Sequence, residues 1–185
     1  MGKLILITGG ARCGKSAFAE KFAQKNGKKV AYIATSQIKD VEMEYRIKLH
    51  QERRPAEWDT YEAPFNTHEA IMAAGKSHDM LLLDCLTVYT SNILCNVDIC
   101  SDADSTYQNI KTKCRQLLAA VEQTEATVVM VTNEVGSGIV PMNRLSREFR
   151  DLAGLVNQMI AEKADTVYLV VAGILVDIKK LAEKI

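Results

Sequence analysis

With 185 residues, 23 of them basic and 23 acidic, the chain has a formal net charge of zero and therefore no bulk field to hold nucleic acid or an anionic membrane surface. Its length and 48% apolar content suffice for one core without disulfides or metals, which excludes a staple-dependent miniprotein and makes a second domain unnecessary. The five cysteines, Cys13, Cys85, Cys95, Cys100 and Cys114, are odd in number and form no Cys-x-x-Cys pair, which points to a reducing, cytoplasmic setting rather than to a disulfide or zinc framework. The first residues carry no basic region, long apolar run or cleavage pattern, and no membrane-length apolar stretch occurs, so a soluble, unprocessed protein is expected.

The apolar run Leu4-Ile5-Leu6-Ile7-Thr8 reads as a strand and is followed by Gly9-Gly10-Ala11-Arg12-Cys13-Gly14-Lys15-Ser16, which has Walker A spacing. Glycines there let backbone N–H groups turn inward on phosphates, and the following helix N-terminus adds partial positive charge. Lys15 is placed to reach the β- and γ-phosphates of a nucleoside triphosphate and Ser16 to reach its Mg²⁺. Lys15 to Asn26 has helical periodicity, with Gly27 as its C-terminal cap. Lys29 to Ala34 reads as a buried strand, and Thr35-Ser36 at its end either line a site at the carboxyl edge of a parallel sheet or serve as turn residues.

Asp40 is a candidate N-cap for a helix to about Arg53, ended by Pro55. Met43, Ile47 and His50 share one side of it, with Arg46 one turn before His50, and Gln51-Glu52-Arg53-Arg54 follow. Trp58 to Glu62 reads as a short strand, and Asn66 with Glu69 as a capping box for a helix to about Gly75. Met80-Leu81-Leu82-Leu83-Asp84 is an apolar strand ending in a carboxylate, the Walker B arrangement, which suits Asp84 to hold Mg²⁺ beside the phosphate loop. Leu86 to Cys95 reads as a helix, Asn96 to Ser105 as an acidic surface loop, Tyr107 to Gln123 as a long helix and Thr127 to Thr132 as a strand. The loop Asn133 to Pro141 carries Gly136 and Gly138 at a strand end; Asn143 caps a helix to Lys163; Thr166 to Ala172 is a strand, and Ile174 to Ile178 is a candidate edge strand after Gly173. This alternation predicts an α/β fold of the P-loop type, a mostly parallel central sheet with helices on both faces, in which residues 1–185 form a single nucleotide-binding domain.

Of the three histidines, His68 falls on a helix expected to be exposed and His78 in a loop, whereas His50 stands beside arginines. His50 is either a base or nucleophile toward phosphorus or a partly exposed helical histidine. Arg144, Arg147 and Arg150 recur every three residues and either neutralise phosphate charge or, interspersed with Glu148 and Asp151, form a solvated ion-paired face, the reading the acids favour. Cys13 reads as a loop-filling residue with incidental reactivity, and the other cysteines as small buried hydrophobes.

Taken together, Thr8 to Ser16, Tyr32 to Ser36 with Glu42-Met43 and Arg46-Ile47, His50 before Arg54-Pro55, Leu83 to Thr87 and Val131 to Pro141 resemble the bifunctional adenosylcobinamide kinase and adenosylcobinamide-phosphate guanylyltransferase family of cobalamin biosynthesis. Arg147 to Asp151, Gly154, Asn157-Gln158 and Val170 to Ile174 extend the resemblance over nearly the whole chain. The phosphate loop is generic, but the His50 region and the Asn133 to Pro141 loop are particular to that family. The resemblance implies a RecA-like P-loop fold and a homotrimer. It implies phosphorylation of the aminopropanol hydroxyl of adenosylcobinamide by ATP or GTP. Transfer of GMP from GTP to that phosphate follows, through a GMP–histidine on His50, giving adenosylcobinamide-GDP and pyrophosphate. It also implies GTP contacts at Gly9, Gly10, Ala11, Arg12, Cys13, Gly14, Lys15, Ser16, Ala34, Thr35, Ser36, Gln51, Glu52, Arg53, Arg54, Glu62 and Asp84. Departures are Cys13, where Ser is common, and Leu175-Val176, near which a proline is frequent. The rival readings are a kinase for another small molecule, which needs no histidine nucleophile, and a guanine-nucleotide switch, which lacks here the Asn-Lys-x-Asp motif and a D-x-x-G glycine after Asp84.

Overall fold

The computed structural model describes residues 2–38, 40–96 and 103–183, except for the side chains of Glu42, Arg46, Arg53 and Ala103. Its elements run β1 (Leu4–Gly9), α1 (Lys15–Asn26), β2 (Val30–Ala34), α2 (Val41–Arg53), β3 (Asp59–Glu62), α3 (Thr67–Ala74), β4 (Met80–Asp84), α4 (Leu86–Asn96), α5 (Ala103–Glu122), β5 (Thr127–Val131), α6 (Arg144–Lys163), β6 (Thr166–Val171) and β7 (Ile174–Asp177). The strands form one sheet in the order β3-β2-β4-β5-β1-β6-β7, parallel throughout except for the antiparallel edge pair β6 and β7.

The central strands read as unbroken apolar runs because both their faces are covered. Leu4, Leu6, Ile33, Leu81, Leu83, Val128 and Met130 pack on one side with residues of α3, α4, α5 and α6. Their alternates Ile5, Ile7, Tyr32, Leu82, Val129 and Val131 pack on the other with Ala19 and Ala23 of α1. The register then fixes the carboxyl edge: Ala34 stands opposite both Glu62 and Asp84, and Asp84 opposite Val131. One row thus carries the ends of β3, β2, β4 and β5. Because β5 separates β1 from β4, the end of β5 comes between the phosphate loop and Asp84.

Asp40 caps α2 by accepting from the Met43 N–H at 2.8 Å, and Asn143 caps α6 by accepting from the Ser146 N–H at 2.8 Å. Asn66 does not complete the expected capping box, because its side chain makes no cap hydrogen bond; the Thr67 hydroxyl instead donates back to the Ala63 carbonyl at 2.7 Å. The stretch expected as a loop from Asn96 to Ser105 is helical at both margins, since α4 includes Asn96 and α5 starts at Ala103. Its middle, 97–102, with Cys100, lies outside the described residues. Among its described side chains α2 carries none that is buried. No helix of the described residues is long and apolar enough to cross a membrane.

Several side chains depart from expectation. Arg147 donates to the Pro141 and Met142 carbonyls at 3.1 and 2.6 Å, and Arg150 to the Gly136 carbonyl at 3.2 Å. Arg147 and Arg150 thus tie down the loop after β5, and among the described residues neither forms an ion pair. His78 is buried: Nε2 lies 2.8 Å from Asp59 Oδ2 and Nδ1 2.9 Å from the Ala74 carbonyl, joining β3 to the end of α3. His68 is half-buried rather than exposed. Cys85 and Cys114 pack inside as expected, but Cys95 is exposed.

Candidate active site

The segment Gly9–Ser16 links β1 to α1, and two glycines there are required by geometry. Gly14 has φ +101°, a region that favours glycine, while a Cβ on Gly9 would come within 2.4 Å of the Val170 carbonyl oxygen. The loop is braced from behind: Ala172 and Gly173 both have positive φ, as a two-residue hairpin turn between β6 and β7 requires, and the Gly173 N–H donates to the Cys13 carbonyl at 2.9 Å. Lys15 is only 8% exposed, and its Nζ donates to the Gly10 carbonyl at 3.0 Å, across the mouth of the loop.

Beside this loop lies a cavity of about 510 Å³ over the carboxyl ends of the parallel strands, where an α/β sheet places its ligands. Of the expected residues, Lys15, Ser16, Ala34, Ser36, His50, Gln51, Arg54, Glu62 and Asp84 line it. Gly10, Ala11, Arg12 and Gly14 are exposed along the loop, with Cys13 half-buried. Glu52 points to solvent away from the cavity, and the Arg53 side chain lies outside the described residues. The pair Thr35-Ser36 divides. Ser36 lines the cavity, whereas Thr35 is buried, exchanging hydrogen bonds of 2.9 Å with the Cys85 N–H and carbonyl. Asn92 completes this brace by donating to the Thr35 carbonyl at 2.8 Å and the Pro64 carbonyl at 3.2 Å, which joins the chain leaving β2, β3 and β4. Thr35 is thus a structural clamp, not a lining residue.

Asp84 is almost enclosed, and its Oδ2 accepts from the Tyr32 hydroxyl at 3.2 Å. Burial, reinforced by the adjacent Asp84 carboxylate, holds the Tyr32 hydroxyl well above its ordinary range, so Tyr32 stays a donor. The Arg54 guanidinium lies over the Tyr32 ring at 3.5 Å and reaches Thr60 Oγ1 at 3.4 Å. This stack keeps a permanent positive charge at the cavity wall. Cys85 also lines the cavity, but burial first and Asp84 second push its thiol up to about 12, which removes it as a thiolate nucleophile. His50 Nδ1 lies 4.0 Å from Asp84 Oδ2 and 4.0 Å from Glu20 Oε1. The helix stripe Met43, Ile47 and His50 thus faces the cavity rather than the core.

Three contributors were given no role of their own from the sequence. Tyr32 is a lone hydroxyl in an aliphatic strand, two residues before its end and so on the same face as Ala34. Glu20 lies one helical turn beyond Ser16, a spacing that puts the two side chains on one side of α1. Asn133 follows β5 directly, and Thr87 and Asn157 hold its backbone: its N–H donates to Thr87 Oγ1 at 2.7 Å and its carbonyl accepts from Asn157 Nδ2 at 3.1 Å. A polar residue just past a buried strand was the available signal.

The arrangement can neutralise phosphate charge with Lys15 and Arg54, offer the oxygens of Ser16 and Asp84 to a hard cation, and present an imidazole to the same space. A family model described as cobinamide kinase / cobinamide phosphate guanyltransferase matches residues 5–178. The bifunctional adenosylcobalamin biosynthesis protein CobU of Escherichia coli is 45% identical over 95% of this chain and 99% of its own. The protein of the same description from Salmonella typhimurium is 46% identical over the same shares. The bifunctional adenosylcobalamin biosynthesis protein CobP of Pseudomonas aeruginosa is 39% identical over 94% of this chain and 96% of its own. With a match that spans most of the fold and the whole of the cavity edge, the chain belongs to the cobinamide kinase / cobinamide phosphate guanyltransferase family.

Proposed function

We propose that this protein phosphorylates adenosylcobinamide with ATP or GTP and then transfers GMP from GTP to the new phosphate, with His50 as the nucleophile that carries GMP between the two. The observation that carries this reading is the meeting of His50 with Lys15, Ser16 and Asp84 around one cavity, although they come from α2, α1 and β4. A kinase alone has no use for an imidazole there. Lys15 and Arg54 spread the charge that builds on the phosphate oxygens during each transfer. Ser16 and Asp84 would hold Mg²⁺, since both supply oxygen, the donor type that cation takes. When bound, that cation makes pyrophosphate a better leaving group. Gly9 to Ser16, Ala34, Ser36, Gln51, Arg54 and Glu62 surround the nucleotide in this reading, with Thr35 holding the strand ends beneath it.

A homotrimer working in the cytoplasm fits the same reading. Ile139 and Met142, 96% and 98% exposed on the loop after β5, are apolar surface suited to a neighbouring subunit.

The test is covalent labelling with GTP labelled at the α-phosphate, in the presence of Mg²⁺. The unmutated protein is expected to acquire label that resists alkali and is lost in mild acid, as a phosphorus–nitrogen bond does. In His50→Ala the label vanishes and guanylyl transfer collapses, while phosphorylation, whose acceptor is the corrinoid hydroxyl, continues. Undiminished labelling of His50→Ala overturns the assignment, and absence of label in the unmutated protein favours a kinase without guanylyl transfer.

A further inference from the structure

The His50 ring stands beside two carboxylates. Its Nδ1 is shielded from solvent and makes no hydrogen bond among the described residues, yet Glu20 Oε1 and Asp84 Oδ2 each stand 4.0 Å from it. The side chain as a whole is 37% exposed while Nδ1 is shielded, which leaves Nε2 as the nitrogen to meet an incoming phosphorus. A neutral imidazole has one N–H and one bare nitrogen, and only the bare nitrogen attacks. Which tautomer prevails decides whether the accessible nitrogen is reactive.

We infer that Glu20 is a positioning residue for His50: it accepts a hydrogen bond from the Nδ1 N–H and so keeps Nε2 bare toward the α-phosphorus. The inference rests on the reading of His50 as nucleophile. Asp84 is the poorer partner for this task, because its carboxylate is assigned to the cation. Glu20 sits on the helix that begins with Lys15 and Ser16, and its side chain is only 14% exposed, so the element that grips the phosphates also aims the ring. A separation of 4.0 Å exceeds a hydrogen bond, and contacts of this kind tighten when substrate binds.

The proton balance of both transfers follows. In the first, the Nε2 lone pair forms a bond to the α-phosphorus of GTP, the bond from that phosphorus to the bridging oxygen breaks, and pyrophosphate leaves with the electron pair. The ring keeps its Nδ1 proton and becomes positively charged, and the Glu20 carboxylate offsets that charge. In the second, a phosphate oxygen of the corrinoid attacks the same phosphorus, the phosphorus–nitrogen pair returns to Nε2, and the ring departs as neutral imidazole. One proton remains on Nδ1 throughout, and no solvent proton is required.

The test compares the full-length protein with Glu20→Gln and Glu20→Asp, using α-labelled GTP and Mg²⁺. Nitrogen NMR of the ring-labelled protein is expected to show the Nδ1–H tautomer of His50 in the unmutated form and a mixture in Glu20→Gln. Phosphorus–nitrogen coupling in the labelled protein is expected to place GMP on Nε2. The single-turnover labelling rate should fall about 10- to 100-fold in Glu20→Gln, as for carboxylates that orient metal-bound histidines, and recover in part in Glu20→Asp. Melting temperature and GTP affinity report the fold independently. A wild-type labelling rate with an unchanged tautomer in Glu20→Gln, or GMP found on Nδ1, overturns the role of Glu20 while leaving His50 as nucleophile. Should Glu20→Gln not fold, the unmutated tautomer, the attachment nitrogen and Glu20→Asp still decide. Label that persists in His50→Ala removes the nucleophile, and Glu20's part with it.

Discussion

Replacing Lys15 with Ala removes the one ammonium that the phosphate loop holds at its mouth, 3.0 Å from the Gly10 carbonyl and 8% exposed. In so enclosed a position water cannot substitute for the lost charge. A cation and a phosphate oxygen about 4 Å apart in a medium of effective dielectric about 20 attract by about 4 kcal/mol. At about 1.4 kcal/mol per tenfold, that corresponds to roughly a thousandfold loss of rate wherever the charge is developed in the transition state. Both half-reactions require a triphosphate neutralised and held before phosphorus is attacked, so both should fall together. Stability should change by only about 1 kcal/mol, because losing one charge-assisted hydrogen bond is offset by relief of a buried charge. Phosphorylation of adenosylcobinamide and GMP transfer would be measured on one preparation, alongside chemical denaturation. Near-normal rates in both would refute the placement of the phosphate loop at the centre of the chemistry, and loss of only one would show that the two reactions do not share it.

Asp84→Asn keeps an acceptor for the Tyr32 hydroxyl but removes the charge, so half-maximal activity should need about 10-fold more Mg²⁺ or higher still; an unchanged Mg²⁺ titration would reduce Asp84 to a strand end. Alkylation of Cys13, half-buried within the loop, should slow when GTP is saturating, because the nucleotide covers it; equal rates with and without GTP would place the nucleotide elsewhere.

The strands were readable because they are sandwiched between helices and so show as apolar runs from Leu4, Val30, Met80, Thr127 and Thr166. Cap chemistry located α2 and α6 because Asp40 and Asn143 act within three residues. Strand order was not readable: nothing local to Thr127 to Val131 says that it inserts between β1 and β4, since that depends on helices packing across the sheet. The start of α5 was missed for a related reason. Asp104 and Ser105 are polar and indifferent helix formers, and the helix gains its stability from residues farther along, Thr106, Ile110, Cys114 and Leu117, that are buried. The arginines of α6 alternate with acids, a pattern that says which charges are available and not that the loop after β5 folds back to offer its carbonyls.

For the site the division follows sequence distance. The phosphate loop is a local object, in which glycine spacing and one lysine dictate backbone and charge within eight residues, so it could be named without a fold. Asp84 needed that loop as a partner before its position at a strand end meant anything. His50 could not be decided from its own surroundings, because α2 gives it no buried anchor among the described side chains. What gives the ring a chemical environment is the sheet register, which sets the end of β4 beside β2, together with α1, which carries Glu20 toward it. A histidine with no buried support of its own takes its orientation from carboxylates that other elements bring to it. The Tyr32 hydroxyl and the Arg54 guanidinium belong to the same argument, since the ring that Arg54 covers is the one whose hydroxyl holds Asp84. Charge at the cavity wall and the aim of the carboxylate therefore depend on one side chain, buried in a strand whose sequence reads as simple core.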